Sequence, residues 1–207
     1  MTRIDDKQTT QTVVSDNPNY SERTINSNRE RWLLFAIAGL VLILDILSKE
    51  IIRNNLPLYT YWAPFPALEQ FFRFTHTSNT GVAFGLFQNA NLLFAIFASI
   101  VSIGIIFFNQ KLEPGNALLR IALGLQLGGA LGNLIDRIVF GSVTDFLDFG
   151  PWPVFNVADT AVVAGVLLMG FVILREERRE QVSKLENDQE STITSLENTG
   201  QDESTAS

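Results

Sequence analysis

The chain is organised as long apolar runs separated by polar stretches. From Trp32 to Ser48 (WLLFAIAGLVLILDILS) the only ionisable side chain is Asp45. Similar runs extend from about Asn91 to Phe108, from Ala117 to Ile135, and from Phe155 to Leu174. About 20 mostly apolar residues in helical form cross roughly 30 Å of hydrocarbon. A helix on the surface of a soluble protein keeps a polar face. Between Leu92 and Phe108 only Ser99 and Ser102 are polar, so the pattern predicts membrane-spanning helices, four in all. The first run follows 31 largely polar residues, contains Asp45 and lacks a small-residue cleavage site. It is therefore expected to be a retained helix and not a cleaved signal peptide.

The connections carry a different pattern. Phe71-Phe72-Arg73-Phe74-Thr75-His76-Thr77 is aromatic and β-branched, which favours a strand. Asn79-Thr80-Gly81 supplies a turn. Val139 to Phe149 contains strand-like pieces around Gly141. The expected fold is an all-α membrane protein with a small β part: a four-transmembrane-helix bundle carrying a small extracytoplasmic sheet. The third run has Gly124, Gly128 and Gly132 at intervals of four, with Gly129 beside them, and the fourth has Ala161 and Gly165. Small residues let helix backbones approach closely. The third and fourth helices are expected to pack tightly and to hold Asn133 near Asn156 and Asp159.

Charge divides the chain into three parts. Residues 1–31 hold five Lys/Arg against five Asp/Glu, and residues 175–207 hold four against nine. Most of the formal net charge of −7 therefore belongs to the C-terminal tail. Both tails are rich in Ser, Thr, Asn, Gln, Asp and Glu, and both are expected to be disordered. The expected organisation is a tail over 1–31, a four-helix domain over 32–174 and an acidic tail over 175–207. Arg23, Arg29 and Arg31 precede the first helix, while Arg175, Arg178 and Arg179 follow the fourth. The positive-inside bias then predicts two cytoplasmic termini. The connections 49–90 and 136–154 would face outward.

Composition narrows the chemistry. The chain has no cysteine and one histidine, His76. Thiol nucleophiles, thiolate metal sites and sites of several imidazoles are excluded. An acidic balance without a basic block argues against nucleic acid. Carboxylates are left as the candidate catalytic groups, and His76 is expected to be an ordinary sheet histidine.

Ionisable residues at membrane depth are costly and suggest function. Asp45 and Lys49, four apart and acid first, share a helix face. Asn133, Asp136 and Arg137 share another, where interhelical hydrogen bonding alone would also account for Asp136 and Arg137. Asn156 and Asp159 open the fourth helix, where helix capping is an alternative role. Asp145 lies in the preceding loop with Asp148 as a competitor for its role. Pro151 and Pro153 force a turn that can bring Asp145 or Asp148 back towards Asp159. A proton- or ion-coupled transporter using Asp45, Asp136 and Asp159 as a relay is the rival reading. It expects charges spread through the bilayer or inverted repeats, and the sequence shows neither.

With these residues in hand, the chain resembles the bacterial lipoprotein signal peptidases (signal peptidase II) over roughly residues 32–174. The motifs are Asp45…Lys49, Asn79-Thr80-Gly81-Val82-Ala83-Phe84-Gly85, Gly128 to Arg137 (GGALGNLIDR), Gly141-Ser142-Val143-Thr144-Asp145-Phe146 and Phe155-Asn156-Val157-Ala158-Asp159. The resemblance implies an aspartyl intramembrane endopeptidase with an outer β-cradle. Its catalytic pair would be Asp145 and Asp159. Asp45, Lys49, Asn79, Gly81, Asn133, Asp136, Arg137 and Asn156 would line or brace the site. The implied substrates are prolipoproteins carrying a diacylglyceryl cysteine, cut on the amino side of that cysteine, and the implied inhibitor is globomycin. No metal or organic cofactor is implied. The implied setting is the bacterial cytoplasmic (inner) membrane, with membrane lipids as partners, a monomeric enzyme and a site near the outer face.

Overall fold

The computed structural model describes residues 18–81 and 91–204. In chain order the elements are α1 (Pro18–Asn55), β1 (Tyr61–Trp62), β2 (Arg73–Asn79), α2 (Asn91–Lys111), α3 (Ala117–Phe140), β3 (Val143–Asp148) and α4 (Val157–Ser204). A single 3-10 turn, Pro66–Leu68, lies between β1 and β2. Among the described residues four stretches are long and apolar enough to cross a membrane: Glu30–Asn55, Asn91–Lys111, Ala117–Phe140 and Val157–Leu185. Each coincides with one of the apolar runs. Large apolar side chains such as Leu40, Leu44 and Leu47 on α1, and Ile96, Ile100 and Ile103 on α2, are exposed, as a lipid-facing surface requires.

Helix α3 is the central packing element, and its glycines explain why. A Cβ on Gly124 or Gly128 would lie 2.8 Å from the Leu34 carbonyl oxygen or 2.7 Å from that of Ala38, both on α1. A Cβ on Gly129 would collide with the Ala158 carbonyl oxygen of α4, and one on Gly165 would lie 2.6 Å from the Ala122 carbonyl oxygen. The expected approach of α3 and α4 is present, with a correction to the residues that carry it. Gly124 and Gly128 face α1, whereas Gly129 faces α4. Successive helical residues are about 100° apart, so neighbouring glycines serve different partners. Gly132 lies between the Asp45 carboxyl and Ala158.

The strands form one antiparallel sheet in the order β1-β2-β3. Thr77 pairs with Asp145 and Asn79 with Val143, with an irregularity between Phe74 and Thr77. The expected strand at Phe71 begins two residues later, at Arg73. Val139 and Phe140, expected in a strand-like piece, remain helical. The helix ends only at Gly141, whose φ of +74° is left-handed and suits glycine as a C-cap. His76 lies in β2; its backbone N–H donates to the Thr60 carbonyl at 2.9 Å, its carbonyl accepts the Tyr59 N–H at 2.7 Å, and its Nδ1 lies 2.7 Å from the Leu56 carbonyl oxygen. This ties β2 to the end of α1.

Away from the sheet, the α2–α3 turn is closed by Arg120, which is fully buried. Its guanidinium donates to Glu30 at 3.0 Å and to the Leu112 carbonyl at 2.8 Å. The chain divides after Leu168 into two units. The first holds the sheet and the packed helices, and the second continues α4. Residues 1–17 and 205–207 of the two expected tails lie outside the described residues. Where described, 18–31 and 175–204 are helical, continuing α1 and α4. Extending an existing helix adds one hydrogen bond per residue without a new nucleus.

The tight contact at Gly129 predicts that Gly129→Ala lowers stability by about 1–3 kcal/mol through overpacking against backbone. Gly104→Ala, with nothing within 4 Å of the added carbon, should be neutral or slightly stabilising. Thermal unfolding of both variants in detergent checks the contrast.

Candidate active site

The polar residues gather where α1 ends, α3 ends, α4 begins and β3 runs between them. Helix α4 starts by the local chemistry of its own sequence. Asn156 precedes the first helical residue, and its Oδ1 accepts the Asp159 backbone N–H at 2.9 Å. The Asp159 carboxylate reaches back to the Asn156 N–H at 3.3 Å. This reciprocal capping box satisfies two N–H groups that a helix start leaves unpaired. The capping role expected for these residues and their membership of a polar site therefore coincide.

The Asn156 amide also leaves the helix. Its Nδ2 donates to Asp145 Oδ1 at 2.7 Å and to Asn133 Oδ1 at 3.1 Å. Asn133 in turn donates through Nδ2 to Asp159 Oδ1 at 2.7 Å. Asp145 and Asp159 are thus linked through one amide from α3 and one from the α4 cap. The other Asp145 oxygen accepts from Asn79 Nδ2 at 2.8 Å. Asn79 holds its own chain turn by accepting the Gly81 N–H at 3.0 Å. Residues 82–85 of that motif lie outside the described residues.

Beneath the amides sits a buried charge group. Lys49, fully buried, contacts Asp45 at 2.7 Å and Asp136 at 3.3 Å, and donates to Asn133 Oδ1 at 3.0 Å. Asp45 also accepts the Ala158 N–H at 2.9 Å, another of the open donors of the α4 start. The ammonium has three donors, and these three partners match them. A lone ion here would be very expensive.

The structure brings Asp45, Lys49, Asn79, Asn133, Asp136, Asp145, Asn156 and Asp159 into one hydrogen-bonded cluster. Gly81 is at its edge. Arg137 is adjacent to it: the guanidinium donates to the Asn133 carbonyl at 3.3 Å and lies 5.6 Å from the centre of the Phe94 ring. Two residues escaped the sequence reading. Arg53 donates through one nitrogen to Asp136 at 3.3 Å and to the Thr144 hydroxyl at 3.0 Å. Arg53 could have been found, since Asp45, Lys49 and Arg53 repeat every four residues along α1. Thr144 carried no signal beyond its place before Asp145.

Asp145 and Asp148 differ in their surroundings. Asp148 accepts from Arg73 and Thr75, each at 2.6 Å, and from the Gly150 N–H at 2.9 Å. Burial alone would raise its carboxyl, but these bonds outweigh it and hold Asp148 below the usual carboxylate range. It is a fixed anion of the sheet. At Asp145 the balance is reversed. Burial, followed by the charge of Asp159, pushes its carboxyl up to about 7, against the bonds from Asn79 and Asn156 and the Lys49 charge. A carboxyl that titrates near neutral pH under the charge of a second carboxyl suits general acid–base chemistry. Among the described residues no three His, Asp or Glu side chains converge as a metal site.

The chain is similar to known proteins in sequence and in fold. The family described as Signal peptidase (SPase) II matches residues 37–175. A lipoprotein signal peptidase of Moorella thermoacetica is 46% identical over 138 residues, covering 67% of this chain and 90% of its own. One from Desulfitobacterium hafniense is 41% identical over 150 residues, covering 72% and 97%. A solved bacterial membrane enzyme superposes with a TM-score of 0.64 at 31% identity, covering 70% of this chain and 88% of that one. A second gives 0.62 at 32% identity, covering 68% and 92%.

The Asp148 cluster yields a prediction with a definite sign. Because the folded carboxyl titrates below its ordinary value, its contribution is complete above about pH 4 and fades as pH falls through the lowered value. Asp148→Asn should cost about 1–3 kcal/mol at neutral pH, as expected for hydrogen bonds to a charged group. Melting temperatures of the variant and the parent should converge as the pH is taken towards 3.

Proposed function

This chain belongs to the signal peptidase II family, multi-pass membrane proteases that remove signal peptides from lipoproteins, and from that premise we propose that Asp145 and Asp159 are its catalytic pair. The observation that carries the proposal is the shared hydrogen bonding of the two carboxyls through Asn156 and Asn133, together with the raised carboxyl of Asp145.

In the reactive form the pair holds one proton. The ionised carboxylate takes a proton from water as the water oxygen attacks the scissile carbonyl carbon. The protonated partner gives its proton to the carbonyl oxygen, so a neutral gem-diol forms. On collapse the C–N bond breaks, the protonated carboxyl gives its proton to the amine nitrogen, and the ionised carboxylate takes a proton from a gem-diol hydroxyl, so the pair returns to its singly protonated state. The two carboxyls titrate as a unit, and neither is assigned as the base. The amides of Asn133, Asn156 and Asn79 keep the carboxyls oriented, because an unpaired polar group at this depth costs several kcal/mol.

The substrate is read as a prolipoprotein with a diacylglyceryl cysteine, cut on the amino side of that residue. The polar cluster lies at the end of the apolar spans, where water reaches the carboxyls while the acyl chains stay in lipid. The arginines before the apolar run of α1 and after the apolar run of α4 support cytoplasmic termini and a site at the outer face of the bacterial inner membrane. We read the enzyme as a monomer of one four-helix domain, 32–174.

Asp145→Asn and Asp159→Asn should each reduce cleavage of purified lipidated precursor by at least about 10³-fold, while the protein still accumulates in the membrane. An Asp159→Asn enzyme working at the parental rate would sink the mechanism. A second prediction concerns pH. Cleavage should fall as pH rises through about 7, where Asp145 loses its proton. The Asn79 bond favours the ionised form, so Asn79→Ala should move this alkaline limb to higher pH. The pH profile of kcat/KM reads the shift.

A further inference from the structure

We propose that Arg53 is a positioning residue for the reaction, acting through Thr144 to fix the backbone that carries Asp145. The inference rests on Asp145 and Asp159 being the catalytic pair.

Thr144 immediately precedes Asp145, so any rotation of its peptide unit moves the Asp145 carboxyl. Strand β3 is short, and its Val143, Thr144 and Asp145 pair in regular register with Asn79, Ser78 and Thr77 of β2, the irregularity falling beyond Asp145, between Phe74 and Thr77. The sheet sets the register of β3, and the helices add a second hold at Thr144. Asp136 Oδ2 accepts the Thr144 N–H at 2.9 Å. Arg53 Nη1 donates at 3.0 Å to the Thr144 hydroxyl and at 3.3 Å to Asp136 Oδ1. One guanidinium nitrogen thus spans the side chain of Thr144 and the carboxylate that grips its backbone.

Arg53 is itself held from three directions. Asp136 binds it on the inner side, Glu50 pairs with it at 3.1 Å on the outer side, and its guanidinium stacks 4.4 Å from the centre of the Phe140 ring. Its planar fork makes these contacts with little loss of freedom per bond. The carboxylate of Asp136 keeps Lys49 as a partner when Arg53 is removed. Loss of Arg53 therefore leaves no unpaired buried acid. What it removes is the link between α1 and β3, so the consequence falls on geometry at Asp145 before it falls on folding. Misplacement of a reacting group by about 1 Å can cost on the order of 10²-fold in rate.

The test is a double-mutant cycle on cleavage of a purified diacylglyceryl-modified precursor by the full-length enzyme in detergent. Arg53→Ala and Thr144→Val should each lower kcat about 10-fold with KM within about 2-fold, and the double variant should be no worse than about 10-fold, because both break one link. Arg53→Lys should recover most of the loss by restoring a donor to Thr144. Glu50→Ala, which touches Arg53 from the exposed side only, should stay within about 2-fold of the parent. Full activity of Arg53→Ala, or independent multiplying losses in the cycle, would overturn the proposal. Should Arg53→Ala fail to accumulate, the cycle is run with Arg53→Met in its place, and parental kcat in Thr144→Val would still refute the proposal. Asp159→Asn is assayed alongside: an active Asp159→Asn enzyme refutes the catalytic pair, whereas an inactive one with unaffected Arg53 variants refutes only the positioning role.

Discussion

A buried ammonium group organises this end of the bundle. Lys49 has no access to water, and burying an isolated charge would cost a large part of a folded protein's whole margin of stability. Asp45, Asp136 and the Asn133 amide oxygen surround it instead. Each of those partners belongs to a different commitment. Asp45 also takes the Ala158 N–H from the start of α4, Asp136 takes the Thr144 N–H from β3, and Asn133 donates to Asp159. Satisfying one charge therefore ties α1, α3, α4 and β3 together at one point.

That arrangement depends on how closely the helices approach. Glycine at 124 and 128 lets α3 lie against the α1 backbone, and glycine at 129 and 132 lets it lie against α4 and Asp45. In lipid there is little hydrophobic gain from bringing apolar helices together, so close packing and interhelical hydrogen bonds must do it. The two devices support one another here. The small residues set the separation at which Asn133 reaches Lys49, Asn156 and Asp159 at once, and those bonds hold the helices at that separation.

The aspartates themselves are distinguished by their surroundings more than by their chemistry. Asp148 and Asp145 lie on the same short strand. Asp148 meets a guanidinium, a hydroxyl and a backbone N–H, which favour its anion. The Asp145 carboxyl is bonded by two neutral amides, feels the charge of a second carboxyl, and is deeply buried. The same functional group is thus an ordinary structural anion at one position and a holder of a proton near neutral pH at the other.

Much of this could be read from the order of residues. Hydropathy alone located the four spans, because lipid demands uninterrupted apolar runs of a fixed length. Glycine and aspartate spacing pointed to tight helix contacts and to the polar residues that matter. The motif order, by resemblance, implied Asp145 and Asp159 as the pair. Local sequence could not say which helix each glycine would meet, since a four-residue repeat defines a face but not its partner. It could not rank Asp145 over Asp148 by chemistry, since that depends on Arg73 and Thr75, more than seventy residues away along the chain, crossing the sheet to Asp148. Nor could it give Arg53 and Thr144 a role, because their contact spans α1 and β3. Hydrophobic length is a property of neighbouring residues and is written in the sequence. Burial and partnership are properties of groups brought together from distant positions, and only the tertiary structure decides them.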